Sequence, residues 1–304
     1  MYKISVIIPT HNRPKLLKRA IQSVIEQKYN AFEILIVDDV NCQETENLIK
    51  GFSQSNLFYI NNACGSGASS SRNLGVEFSK GDYISFLDDD DEWLPDKLSE
   101  QVKEIDKSGA DVIFSKILIK YENKDLSYIT NTSIVKDPLK QILIENYLGA
   151  TISAVIKKQA FLNIGGFDIN FPAREEYDLW IRLISGGFKI SVVSKALCIS
   201  YRSLQKRSRI SANIVNYETA IKLLNSKHKE LVLNNLSDSE IRLRKSKQFE
   251  FLSAQGISIG LRYSPFKYYF KSFMISFKIK PLVLAFIAAI SPYLLIFLRA
   301  KTSR

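Results

Sequence analysis

The sequence predicts an α/β fold: a mostly parallel sheet sandwiched by helices over residues 1–207, followed by a helical, membrane-associating region over 208–304. Two observations carry the first half. Short β-branched runs alternate with segments of helical period, and those runs end repeatedly in polar clusters, at Thr10-His11-Asn12, Asp38-Asp39 and Asp88-Asp89-Asp90-Asp91. From about Ser208 the pattern turns helical and stays so. With 46% hydrophobic and 24% charged residues the chain can bury a large core, which excludes a disordered or fibrous protein. Cys42, Cys64 and Cys198 are scattered and odd in number, which fits a reducing compartment and no disulfide framework. The opening MYKISVIIP is too short for a signal-peptide core.

Taken in order, Ile4 to Ile8 is a buried strand stopped by Pro9, and Asn12 is placed to cap a helix with Pro14 in its first turn. Leu16, Leu17, Ala20, Ile21, Val24 and Ile25 recur at helical spacing. Phe32 to Val37 and Leu57 to Ile60 are strands, and Ser69 to Phe78 is a helix with Leu74 and Phe78 inward. The strand from Tyr83 to Leu87 runs straight into the four aspartates. A helix follows Pro95, then a long strand from Asp111 to Tyr121 and another from Ile152 to Ile156. Gly165-Gly166 is a turn, Tyr177 to Ile184 a helix closed by Gly186-Gly187, and Phe188 to Val193 the last strand.

In open parallel sheets, ligands bind outside the carboxyl ends of the strands, and the polar clusters stand there. Four adjacent carboxylates repel one another unless a cation or donors compensate, and Mg²⁺ or Mn²⁺ takes such oxygen ligands. An EF-hand is excluded, because its sixth loop position would be Trp93 and its twelfth Ser99. Glu175-Glu176-Tyr177-Asp178 opens a helix, where the macrodipole favours carboxylates. Asp178 can pair with Arg182 four residues on, but three carboxyls exceed one capping role, so one is free to act as a base. Gly65 to Ser69 lacks the position of a dinucleotide fingerprint and leads instead to Arg72, a candidate phosphate ligand. His11 belongs to the strand-end group, whereas His228 sits in a Lys-rich helix and reads as surface.

These stretches together resemble family-2 glycosyltransferases of the GT-A fold. The matching residues are Ser5 to Arg13, Ile36 to Asp39, Ser71-Arg72-Asn73, Phe86 to Asp91, and Gly165 to Asp168 followed by Glu175 to Leu183, in the family's order. The resemblance implies that Asp39 holds the nucleotide base, with Pro9, Thr10 and His11 lining the same pocket. It implies that Arg72 sits against the donor and that Asp88-x-Asp90 is the DxD motif. Asp90 and Asp88 would then be the metal-side carboxylates, for Mn²⁺ or Mg²⁺, with Asp89 beside the ribose and diphosphate. Glu176 falls at the usual catalytic-base position, as Glu where the family commonly has Asp, with Glu175 and Asp178 as alternates. A second departure is Leu204, where related members often carry His. The Gln-x-x-Arg-Trp signature of processive synthases is absent, which points to transfer of a single sugar.

The implied activity is inverting, metal-dependent transfer from a nucleotide sugar, a UDP-sugar first among them, to a lipid-linked glycan in surface-polysaccharide assembly. The rivals are a nucleotidyltransferase that makes activated sugars and a non-catalytic nucleotide-binding adaptor. The first would carry a Gly-rich phosphate loop after the first strand, and Pro9 to Arg13 has none. The tail fits the membrane setting. After Glu250 there is no acidic residue, while Arg262, Lys267, Lys271, Lys278, Lys280, Arg299, Lys301 and Arg304 follow among aromatics and aliphatics. Segment 262–304 thus suggests an anionic membrane surface rather than a nucleic acid. Pro281 to Leu298 would reach about 27 Å as one helix, but Ser291-Pro292 interrupts it and cations flank both ends, which favours an in-plane or re-entrant anchor over a span. The expected location is the cytoplasmic face of a bacterial inner membrane.

Overall fold

The structure, a computed structural model, describes residues 2–62, 65, 67–122, 125–202, 213–261 and 263–302. Strands β1 (Ile4–Thr10) and β2 (Glu33–Asp38) are buried along their whole length, the state of parallel strands covered on both faces. The others are β3 (Leu57–Asn61), β4 (Tyr83–Phe86), β5 (Glu92–Trp93), β6 (Val112–Tyr121), β7 (Ser127–Ile129), β8 (Val155–Lys157) and β9 (Ile190–Arg202). They form one sheet in the order β3-β2-β1-β4-β8-β6-β9-β5, with β7 beside β6. The half containing β3, β2, β1 and β4 is parallel, as expected. The other half is mixed, since β8 runs antiparallel to both β4 and β6.

Helices α1 (Pro14–Ile25), α2 (Gln43–Lys50), α3 (Gly67–Phe78), α4 (Lys97–Ser108), α5 (Pro138–Ile144), α6 (Lys158–Asn163) and α7 (Glu175–Ser185) accompany the sheet. Alternate strand residues face opposite layers. Ile4, Val6 and Ile8 pack with Leu17, Ile21 and Leu98 on one side. Ile7, Leu35 and Val37 pack with Val76, Tyr177 and Trp180 on the other. Helix α3 lies so close to the sheet that a Cβ on Gly75 would meet Ile7 at 2.5 Å. That approach buries Arg72, Gly75 and Val76 and leaves Phe78, expected inward, 56% exposed. Asn12 does not cap α1. It takes a left-handed φ of 51°, and Arg13 occupies the cap position without a side-chain bond. The strand expected from Ile152 is split into a 3₁₀ turn (Thr151–Ser153) and β8.

The C-terminal region is helical: α8 (Ile214–Lys227), α9 (Lys229–Asn235), α10 (Asp238–Ser258), α11 (Ser264–Ser276), α12 (Ile279–Ile290) and α13 (Pro292–Thr302). The boundary drawn near Arg207, together with Leu204 and Arg262, lies outside the described residues. The two regions share core, with Tyr269, Ala285, Ala288, Leu295 and Ile296 in the same cluster as β1 and α1. Ser291 separates α12 from α13, and no helix among the described residues is long and apolar enough to cross a membrane. The outward faces stay apolar: Phe277 is 75%, Ile279 76%, Phe286 59% and Ile290 82% exposed.

Candidate active site

Strand register puts the polar clusters on one edge. Thr10 pairs with Asp38 and Asp38 with Asn61, while Ile7 pairs with Phe86, so the aspartate run leaves β4 beside the end of β1. The run keeps a strand-like alternation, with Asp88 and Asp90 partly exposed and Asp89 and Asp91 buried. Asp91 accepts from the Tyr201 backbone N–H at 3.0 Å, and burial, then the charges of Asp90 and Asp88, raise its pKa. Asp89 accepts from Thr10 Oγ1 at 2.8 Å and pairs with Arg13 at 2.9 Å, and burial raises its pKa to about 6. Its side chain is 1% exposed, held between Thr10 and Arg13. Asp90 meets Arg13 at 3.3 Å and remains 20% exposed, and Arg19 holds its carbonyl at 2.6 Å.

The second acidic group is divided by helical geometry rather than by alternation. Residues on a helix step by about 100°, so each carboxylate of α7 meets a different neighbour. Asp178 is fully buried against Arg182 at 2.7 Å, Lys227 at 3.0 Å and His228 at 2.8 Å. Burial alone would raise its pKa, but bonds from His228, Arg182 and Lys227 hold it below the usual range. Asp178 therefore ties α8 to α7, its carboxylate bonded to Arg182, Lys227 and His228. His228, expected at the surface, is 6% exposed because it serves this joint. Glu175 pairs with Arg72 at 2.9 Å. Glu176 accepts a long bond, 3.3 Å, from Asn146 and a bond from its own backbone N–H, and burial, then the charge of Glu175, lift its pKa to about 7.

Arg72 brings the two groups together. Its guanidinium, 6% exposed, reaches Asp88 at 2.6 Å and Glu175 at 2.9 Å, so it is not the surface cation that a helix position alone allows. The neighbouring Asn73 clamps the chain before α7, donating to Phe167 O and accepting from Phe167 N, both at 2.9 Å. Gly166 has φ +69°, and a Cβ there would meet Asn73 Oδ1 at 2.8 Å, so glycine permits that clamp. On the far side, Asp39 accepts from Gly67 N–H at 3.2 Å and Ser71 Oγ at 3.3 Å, with His11 Nδ1 at 3.5 Å. Pro9 and Thr10 are buried against this wall, and His11 is exposed on it.

Among the described residues no group of three or more His, Cys, Asp or Glu is set to hold a metal. The donor set still suits a hard divalent ion, which is commonly held by one or two carboxylates plus substrate phosphates. Asp88 and Asp90 are the members of the run that keep exposed oxygens. Sequence reasoning missed Arg13, Arg19 and Asn146. Arg13 stands inside the first strand-end motif and carried a signal in its place. Asn146 carried none, because a loop thirty residues from Glu176 in sequence meets it only through the fold.

Comparison with known proteins agrees with this architecture. The chain is 30% identical over 70% of its length, and 81% of the relative's, to a protein of Escherichia coli named UDP-Glc:alpha-D-GlcNAc-diphosphoundecaprenol beta-1,3-glucosyltransferase WfgD. It is 26% identical, over 95% of its length and 94% of the relative's, to the GalNAc(5)-diNAcBac-PP-undecaprenol beta-1,3-glucosyltransferase of Campylobacter jejuni. Among solved structures, the S. aureus TarS 1-349 complex with UDP-GlcNAc superposes with a TM-score of 0.63 at 18% identity, covering 97% of this chain and 90% of that one, which shows a shared fold. The family model for glycosyl transferase family 2 matches residues 5–168, and the chain belongs to that family and is a glycosyltransferase.

Proposed function

We propose that the enzyme moves a single sugar, with inversion, from a UDP-sugar to a hydroxyl of a lipid-linked diphosphate glycan at the cytoplasmic face of a bacterial inner membrane, in surface-polysaccharide assembly. The observation that carries the reading is Arg72, one guanidinium touching the aspartate run and the base helix at once. Asp39, Thr10 and His11 bind the nucleotide end of the donor, and Arg72 orients its diphosphate. Asp88 and Asp90 hold Mn²⁺ or Mg²⁺, which when bound neutralises charge on the departing nucleoside diphosphate. Glu176 takes the acceptor proton. Its pKa of about 7 suits a general base near neutral pH. Two named relatives act on diphosphoundecaprenol-linked substrates, which supports the acceptor class.

The membrane setting rests on helices α11 to α13. Exposed Phe270, Met274, Phe277, Ile279, Phe286 and Ile290 lie among exposed Lys267, Lys271, Lys278 and Lys280, an apolar and cationic surface suited to anionic lipid. Sedimentation with vesicles containing phosphatidylglycerol should carry the protein down, and a Phe286→Glu, Ile290→Glu double variant should stay in solution. Equal sedimentation of both removes the membrane assignment. The reaction is tested by incubating purified protein with a panel of nucleotide sugars and a lipid diphosphate acceptor, with and without Mn²⁺. Metal-stimulated nucleoside diphosphate release from one donor is expected, and release from none overturns the reading.

A further inference from the structure

Arg174 immediately precedes Glu175 and Glu176, and neither the base nor the metal carboxylates account for it. It is 7% exposed, yet no carboxylate among the described residues forms an ion pair with it, and its Nε has no hydrogen-bond partner. A buried charge without a counter-charge is strongly unfavourable. Its surroundings offset that only in part. Burial lowers its pKa, Tyr177 and Glu176 act the other way, and the like charge of Arg244, itself 3% exposed, lowers it by less. Arg182, by contrast, is paired with Asp178 at 2.7 Å, and Arg72 with two carboxylates.

The backbone and the aromatic neighbours hold this lone cation in place. Arg174 has φ 59° and ψ 26°, a left-handed conformation uncommon outside glycine and Asn, and such strain persists where surroundings fix it. The guanidinium lies 3.7 Å from the Phe251 ring of α10 and 4.5 Å from the Tyr177 ring of α7. Contacts through its faces leave the edge nitrogens of a guanidinium free for a bidentate anion. Helix α7 also begins at this residue without a side-chain cap, which adds the positive end of its dipole.

We propose that Arg174 binds the diphosphate of the lipid-linked acceptor beside the base Glu176, so that the acceptor enters between α7 and α10. This rests on the reaction proposed above and names the acceptor's phosphate site. The donor's phosphates have their own groups in Arg72, Asp88 and Asp90, reached from the α3 side. Arg174 instead faces α10, and an inverting displacement brings the attacking hydroxyl to the face of the sugar opposite the leaving group. A diphosphate bound here supplies the counter-charge that Arg174 lacks.

The test compares wild type with Arg174→Asn and Arg174→Lys. Asn takes the left-handed conformation readily, so it removes the charge without straining the turn. An alkyl diphosphate without sugar is titrated calorimetrically into each protein with UDP and Mn²⁺ saturating the donor side. Expected results are binding by wild type, at least tenfold weaker binding by Arg174→Asn, an intermediate value for Arg174→Lys, unchanged UDP affinity, and a Tm of Arg174→Asn no lower than wild type. Kinetics then separate acceptors: KM for the sugar on a lipid diphosphate should rise at least tenfold in Arg174→Asn, whereas KM for the same sugar as an uncharged alkyl glycoside should change less than twofold, and any change in kcat through the neighbouring base Glu176 should be common to both acceptors. A fall in UDP affinity with alkyl diphosphate binding intact would place Arg174 at the donor and overturn the proposal. So would equal affinities in all three proteins, no binding by wild type, or a lowered Tm with both ligands weakened alike. The calorimetric result stands apart from the reaction itself. Failure of every nucleotide sugar to react would sink the proposed activity while alkyl diphosphate binding stays measurable.

Discussion

The two acidic runs use the same residue types and divide their labour by different geometry. Asp88 to Asp91 leave a strand, so alternate members point in and out, and the inward pair, Asp89 and Asp91, fasten the loop to Thr10, Arg13 and the Tyr201 backbone. Glu175, Glu176 and Asp178 open a helix, so they fan around it, and the member on the buried side fastens α8. In each run part of the charge is neutralised by buried partners, and the proposed chemistry falls to the more exposed remainder. Adjacent carboxylates thus differ in kind according to the periodicity of the backbone that carries them.

That contrast is broken or sharpened first at Glu176. Glu176→Gln is expected to lower kcat by about 10²–10⁴-fold, the usual contribution of a positioned general base, while nucleoside diphosphate binding is unchanged. A variant retaining wild-type kcat removes Glu176 from the base role. For the strand run, Asp90→Asn is expected to cost on the order of a hundredfold in kcat, equivalent to about 2.7 kcal/mol, and to blunt stimulation by Mn²⁺. Asp89→Asn should instead lower Tm more than it alters Mn²⁺ dependence. Equal Mn²⁺ responses in the two variants would contradict the in-and-out division.

Asp178 tests the helical run from its structural side. Removing one partner of a buried ion pair costs about 3–5 kcal/mol, so Asp178→Asn should unfold at markedly lower urea concentration than wild type. Its folded pKa is depressed, so the stability it confers is present above the unfolded value and is lost as pH falls through the folded one. The deficit of Asp178→Asn should therefore shrink in acid. A deficit independent of pH would mean that packing, not charge, holds the joint.

How much of this was legible in sequence follows from the same periodicities. The strands before Thr10, Asp38 and Asp88 were readable because β-branched runs stop sharply at polar residues, and register then fixed the edge they share. Phe78 was misjudged because helical period predicts a face, while Gly75 sets how close α3 comes and hence which residues that face includes. His228 looked exposed among lysines because its partner Asp178 is fifty residues away. Asp178 itself pairs with Arg182 locally, but three neighbours converging on it arise only once α8 docks. Contacts within one element are written in spacing, and those between distant elements are not.

The smallest expected effect reads the pKa of Glu176 directly. A carboxyl raised to about 7 must lose its proton to act as base, so kcat/KM should fall about tenfold per pH unit below 7. The same shift has the opposite sign for stability. A folded pKa above the unfolded value means that the folded state binds the proton more tightly, so the associated stability is present in acid and is lost as pH rises from the unfolded value through about 7. Glu176→Gln removes the ionisation and keeps the shape. Its Tm should exceed that of wild type at pH 8, and the two should draw together near pH 5. A Tm difference that is flat across this interval would show that Glu176 ionises in the folded protein as it does in water.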